Sequence, residues 1–228
     1  SPQLAVSIQG STFRYVLTEK GRIQNWGEVP FNPRFLRGGF IADRQGMGQM
    51  IRNALSGKGI QSVPVVAAFT GVQSIVRVIQ LPNVRGIHPE QVLPREARRL
   101  MAFNENVQYL FWQRVAKREK FQTFVAVVVT KEGLQGYLEA LRVAGLVPTR
   151  VEVAPLCLVR GISQAQAIVA NVESDGIDIV IVMDSLPFLV RSLWFGDEPL
   201  DIDSAPARVA EELLRTISAH NDSNPENS

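Results

Sequence analysis

Apolar and polar residues alternate through residues 4–28 with the period of two that a half-buried strand imposes. Residues 4–9, 12–18 and 22–28 therefore read as three strands, with Glu19-Lys20-Gly21 as a hairpin turn, and together they predict an antiparallel meander. Residues 30–42 are rich in Pro, Gly and Phe, which predicts a loop or an edge strand. Beyond Asp43, a candidate cap, the pattern changes to a helical one: Met47, Met50, Ile51 and Leu55 recur on one face, and Gly57 and Gly59 end the run. Residues 63–69 and 74–81 then predict two apolar strands around the turn Thr70-Gly71.

Residues 88–102 predict a helix with a basic exposed face at Arg95, Arg98 and Arg99, Pro94 marking a kink or a late start. Residues 109–115 and 121–130 predict a hairpin with a charged turn at 116–120, and the unbroken apolar run 125–129 is the mark of a strand buried on both faces. Leu134, Tyr137, Leu138 and Leu141 form a helical stripe closed by Gly145. Residues 84–147 are thus expected as an inserted α+β subdomain. The opening pattern then returns: a strand at 150–153, a helix at 155–162, strands at 167–172, 177–183 and 187–193, and a helix with Val209, Leu213 and Ile217 inward and Glu211, Glu212 and Arg215 outward. Three strands and a helix occur twice, at 4–55 and 167–219, and the polar stretch 220–228 reads as a disordered tail.

Composition narrows the chemistry. Among 228 residues, 46% are hydrophobic and 20% charged, enough for a sizeable core, and the net charge of +2 excludes a general nucleic-acid binder. The single cysteine, Cys157, excludes an internal disulfide and a cysteine-cluster zinc site, and its apolar helical setting predicts an inert thiol. His88 and His220, the only histidines, lie in no triad-like pattern, so neither is expected to be catalytic. The acidic stretch 197–203 has the charge of a calcium loop without its glycine or terminal glutamate, and reads as a solvated loop with Asp203 or Ser204 capping the last helix.

Three segments carry a family resemblance: residues 65–82, "VVAAFTGVQSIVRVIQLP"; residues 94–115, "PREARRLMAFNENVQYLFWQRV"; and residues 124–162, which include Ala144-Gly145-Leu146 and "VEVAPLCLVR". In this order they resemble the PilM-type proteins, the actin-like cytoplasmic components of type IV pilus assembly related to the FtsA-type division proteins. The resemblance implies an α/β (α+β) ribonuclease-H-like, actin-like ATPase fold. Residues 1–83 and 148–163 would belong to its first lobe, 84–147 to an insert, and 164–219 to the start of a second lobe. Family members with a complete second lobe are longer, and the segment expected to contact adenosine is absent from residues 1–228.

The same resemblance focuses attention on two turns. A strand followed by Gly10 and Ser11 begins like a phosphate-binding loop, but the family pattern Asp-x-Gly-(Ser/Thr) finds Ser7 or Gln9 in place of its aspartate. In the second meander Asn171 stands at the aspartate position and Glu173 at that of a close-approach glycine, with Ser174 and Asp175 following. A neutral amide or hydroxyl brings no charge to balance a divalent cation, and a glutamate repels triphosphate. Ser7, Gly10, Ser11, Asn171 and Ser174 are therefore expected to form a degenerate nucleotide site. No cofactor is expected for this chain, ATP with Mg²⁺ being reserved for a form with a complete second lobe. The expected role is a non-catalytic or weakly nucleotide-binding scaffold, cytoplasmic and peripheral to the inner membrane. It would bind the N-terminal cytoplasmic segment of a membrane-anchored assembly protein, with Arg95, Arg98 and Arg99 as candidate partner contacts; self-association stays open. The alternatives are a fragment of a true actin-like ATPase and an unrelated α/β binding module.

Overall fold

In a computed structural model that describes residues 1–60, 63–196 and 205–223, strands β1 (Pro2–Gln9), β2 (Thr12–Glu19) and β3 (Arg22–Pro30) form the expected meander. Its two turns place both central residues at positive φ, Gly10 and Ser11 at 57° and 58°, Lys20 and Gly21 at 50° and 73°. That is the pattern of tight hairpin turns whose twist matches the strands they join. The loop-like stretch that follows holds the two-residue strands β4 (Leu36–Arg37) and β5 (Phe40–Ile41), before helix α1 (Arg44–Ser56) begins under the Asp43 carboxylate, which accepts from Gly46 N at 2.8 Å.

Strand β6 (Val65–Phe69) pairs with β1 in parallel, and β10 (Pro148–Val153) pairs with β6 in parallel, giving a five-stranded sheet of order β10-β6-β1-β2-β3. One face carries Leu4, Val6, Ile8, Phe13, Tyr15, Val65, Ala67 and Phe69, all buried. Above it lie α1, through Met47, Ile51 and Leu55, and α3 (Lys131–Val143), through Tyr137, Ala140 and Leu141.

The other strands make a six-stranded sheet of order β11-β12-β13-β7-β9-β8. Its members are β7 (Ser74–Pro82), β8 (Gln108–Lys117), β9 (Phe121–Thr130), β11 (Ala167–Glu173), β12 (Gly176–Met183) and β13 (Leu186–Trp194). Helix α2 (Pro89–Met101) covers one face of its β7-β9-β8 half, packing Leu93, Ala97 and Met101 on Ile79, Leu81, Phe124, Ala126 and Val128. Strand β12 is buried almost throughout, with Ile179 and Val180 fully inaccessible. Helix α4 (Ala154–Gly161) lies between the two sheets, in contact with β6, β10, β12 and β13. The second meander, β11-β12-β13 followed by α5 (Ala205–Ser223), repeats the order of the first.

Four features differ from those expected. The excursion from the first sheet begins at β7 rather than at residue 84: β7 pairs with β9 from Ser74↔Val129 to Pro82↔Phe121, because its apolar positions match the valine run of β9. The insert is not a separate sheet either, since β13 meets β7 through the pair Leu189↔Arg77. Helix α3, placed in the insert by its position in the chain, packs on α1 instead. Its small residues let the helices approach closely, and buried Tyr137 donates to Ala68 O at 2.9 Å in the first sheet. The last helix runs through Ser223, past the point where the tail was expected to begin, because no Gly or Pro falls between Ala207 and Asn224 to stop it. The acidic stretch 197–203 with Ser204, and residues 224–228, lie outside the described residues, as does the side chain of His220.

The α1–α3 contact yields a stability test. A Cβ at Gly48 would stand 2.6 Å from Ala140 O and against the Val143 side chain, whereas one at Gly161 meets nothing within 4 Å. Gly48→Ala should lower unfolding free energy by about 1–3 kcal/mol through overpacking, and Gly161→Ala should leave it unchanged or raise it by about 0.4–1 kcal/mol, as read from urea denaturation midpoints.

Candidate functional site

The two phosphate-like turns meet. Ser174 Oγ donates to Gly10 O at 2.8 Å, and the Glu173 side chain lies over Gly10 so closely that a Cβ there would stand 2.6 Å from Glu173 Oε2. Gly10 is thus required twice, by its positive φ and by this approach. From β2, Arg14 grips the same carboxylate in a fork, Nη1 to Oε1 at 3.0 Å and Nη2 to Oε2 at 2.9 Å, while its Nε donates to Glu28 at 3.2 Å. Burial works against the Arg14 charge, but its bonds to Glu173 and Glu28 outweigh that and raise its pKa.

Beside this pair lies Asp178, in the middle of β12. Its carboxylate accepts from Ser192 Oγ at 2.5 Å and distantly, at 3.5 Å, from Gln9 Nε2. Burial pushes the carboxyl groups of Asp175 and Asp178 above the usual aspartate range, the hydrogen bonds to each offsetting only part of the shift.

Two cavities flank these contacts. One, of about 60 Å³, lies between Gln9, Gly10, Gln73, Tyr137, Asp175 and Asp178, far below the ~300 Å³ at which small-molecule pockets begin. The other, of about 420 Å³, is lined by Ser7, Gln9, Arg14, Cys157, Asn171 and Glu173. Ser7 and Asn171 line the larger cavity and Gly10 the smaller; Ser174 reaches Gly10 O, and Ser174 and Ser11, both in turns, line neither cavity. The donor set does not fit Mg-triphosphate. Arg14 is committed to two carboxylates, the Glu173 carboxylate lies over Gly10, and Ser7 and Asn171 are neutral. Among the described residues no cluster of His, Cys, Asp and Glu is arranged to hold a metal ion.

Arg14 and Asp178 were missed in the sequence. A charged residue at an alternating position reads as solvent-facing, but the lone carboxylate inside "GIDIVIVM" is a sign that could have been used. Cys157 is half-buried and burial raises its pKa, which keeps it a thiol. His88 lies 3.6 Å from Glu90, on the surface.

A third concavity opens between the two sheets, beside Phe69 and α3. This groove, of about 740 Å³, has Phe69, Val129 and Val153 buried at its base and Phe111, Val127, Leu134, Leu138, Val151 and Leu156 along its walls. Its two sides belong to edge strands, β8 in one sheet and β10 in the other. Phe111 pairs with Val127 and Tyr109 with Val129, so the groove lies on the face of β8-β9 opposite to α2. Arg95, Arg98 and Arg99 are consequently on the other side of that sheet; Arg98 pairs with Glu105 at 2.9 Å and Arg99 with Glu96.

Two lobes built on a repeated meander, with a helix between them and a cleft where their turns meet, define an actin-like fold. No protein-family model matches the sequence, and no curated protein does. Solved structures do match. The PilM–PilN type IV pilus biogenesis complex superposes with a TM-score of 0.70 at 24% identity, over 96% of this chain and 71% of that one. The cytoplasmic domain of EpsL, an inner-membrane component of the type II secretion system of Vibrio cholerae, gives 0.58 at 14% identity, over 85% of this chain and 71% of that one. A Bacteroides thetaiotaomicron protein of unknown function with an actin-like ATPase fold gives 0.51 at 12% identity, over 94% and 77%. The chain has the actin-like ATPase fold, and the expectation of an unrelated α/β module falls.

Asp178 makes the cleft sensitive to pH. Because its folded pKa is raised, the folded state binds the proton more tightly than the unfolded one. Its contribution is fully favourable below the ordinary aspartate value of about 4 and is lost as pH rises through the raised value. The stability of Asp178→Asn relative to the parent should therefore increase between pH 4 and pH 7.5 in urea titrations; a difference independent of pH would contradict it.

Proposed function

We propose that this chain is a non-catalytic actin-like scaffold of a type IV pilus or type II secretion-type assembly at the cytoplasmic face of the inner membrane. In this reading it captures the N-terminal cytoplasmic segment of a membrane-anchored partner. The observation that carries it is the apolar groove between the free edges of β8 and β10. An extended peptide gains affinity by adding to a strand edge and by seating alternate side chains in pockets, offset by the cost of ordering it. The groove offers both, and the likeness to a PilM–PilN complex and to EpsL supports the setting. No helix among the described residues is long and apolar enough to cross a membrane, so the proposed membrane contact runs through the partner.

The test is photo-crosslinking in cells from benzoylphenylalanine placed at Phe111, Val151 or Arg95. Groove positions 111 and 151 should crosslink the N-terminal segment of a single-span inner-membrane protein, and Leu138→Asp should abolish this. Crosslinks from position 95 alone would move the interface to α2, and none from 111 or 151 would overturn the groove.

The 420 Å³ cavity beside Ser7 favours a second reading, a nucleotide-binding protein. Against it stands the Glu173 carboxylate over Gly10. Calorimetric titration with Mg-ATP should show no binding; a dissociation constant in the low micromolar range, about −8 kcal/mol, would establish the second reading.

A further inference from the structure

The charges lining the groove do not balance. Every lining residue is apolar or neutral except Arg150, Glu152 and Arg160, two guanidinium groups sharing one carboxylate. Arg150 Nε lies 2.9 Å from Glu152 Oε1, and Arg160 pairs with the other oxygen. The Glu152 side chain is only 11% exposed, whereas those of Arg150 and Arg160 are 63% and 59% exposed. The carboxylate is buried beneath its two partners, and the guanidinium groups face the groove mouth with one positive charge in surplus. Arg160 also contacts Cys157 Sγ at 3.7 Å, one turn earlier on α4. Its pKa is lowered, first by burial and then by Arg150, as expected of a cation crowded by another.

The sequence of β10 sets where this surplus falls. Arg150 and Glu152 alternate with Val151 and Val153, and both valines line the groove. A segment lying along this edge therefore presents successive side chains alternately to the valines and to the arginine pair. Arg150 stands inside β10, with Arg160 facing it from α4, so a segment running along this edge brings an internal side chain to the pair.

We infer that the groove selects an extended peptide bearing an Asp or Glu between two apolar residues, its carboxylate seated between Arg150 and Arg160 while the flanking side chains fill the pocket beside Phe111, Leu138 and Val151. This rests on the groove reading above and adds its specificity. A planar guanidinium pair binds a carboxylate in a defined geometry, and the apolar walls shield the contact from water. A lysine in the same place meets two like charges and is rejected.

The test uses a random dodecapeptide library displayed on its messenger RNA and selected against the whole protein, with circular dichroism confirming the fold of each variant. Selected sequences should share an apolar-acidic-apolar core. For a selected peptide measured by fluorescence anisotropy, changing its Glu to Gln should weaken binding to the parent about tenfold, and to Arg150→Gln/Arg160→Gln by less than about twofold. Glu152→Gln, which leaves both guanidinium groups and removes their internal partner, should enlarge the penalty of the Glu-to-Gln change in the peptide. Apolar sequences without an acid, or equal affinity of the Gln peptide for the parent, would overturn this inference and leave the groove standing. Selected peptides whose binding is indifferent to Leu138→Asp would overturn the groove, and this inference with it.

Discussion

One ion pair, Arg14 with Glu173, ties the two sheets together where the turns of their meanders meet. It joins the second strand of the first meander to the first strand of the second, across the cleft at those turns. A half-buried pair of this kind contributes little net stability, because desolvating both charges offsets most of their attraction. Its effect is geometric. The fork fixes the Glu173 carboxylate over Gly10, and Ser174 adds a bond to the same turn. Helix α4, held between the sheets, then leaves β10 at a free edge facing β8, and the groove follows from that placement.

Much of this was legible in residue order. The meanders announced themselves through a period of two interrupted by turn residues, and the helices through 3.6-residue stripes, because both patterns are set by which side of an element is buried. Allegiance between elements was not legible. An amphipathic helix such as α3 shows that one face is covered, not what covers it; only the small residues Gly133, Gly136 and Ala140 hint at close packing on another helix. Strand β7 is apolar on both faces and would satisfy either sheet equally.

The cleft and the groove differ in the same way. The loss of acidic and glycine positions at Ser7, Asn171 and Glu173 could be read directly, since phosphate turns constrain residue types at fixed spacing. Arg14 could not, because its partner is 159 residues away. Basic residues drew attention to α2, where they are conspicuous in sequence, yet two of those three are matched by neighbouring glutamates. The surplus charge at Arg150 and Arg160 emerges only when the pairing with Glu152 is counted in space.

One junction in the larger sheet sets how the molecule would respond to load. Its other neighbouring strands are laced together along most of their lengths, β7 to β9 from Ser74 to Pro82 and β12 to β13 from Gly176 to Met183, whereas β13 and β7 share the single pair Leu189↔Arg77. A ribbon stitched closely on both sides of one loose stitch bends at that stitch. Along that sheet the β13–β7 junction therefore has the fewest ladder pairs between the groove wall at β8 and the strand that holds Glu173.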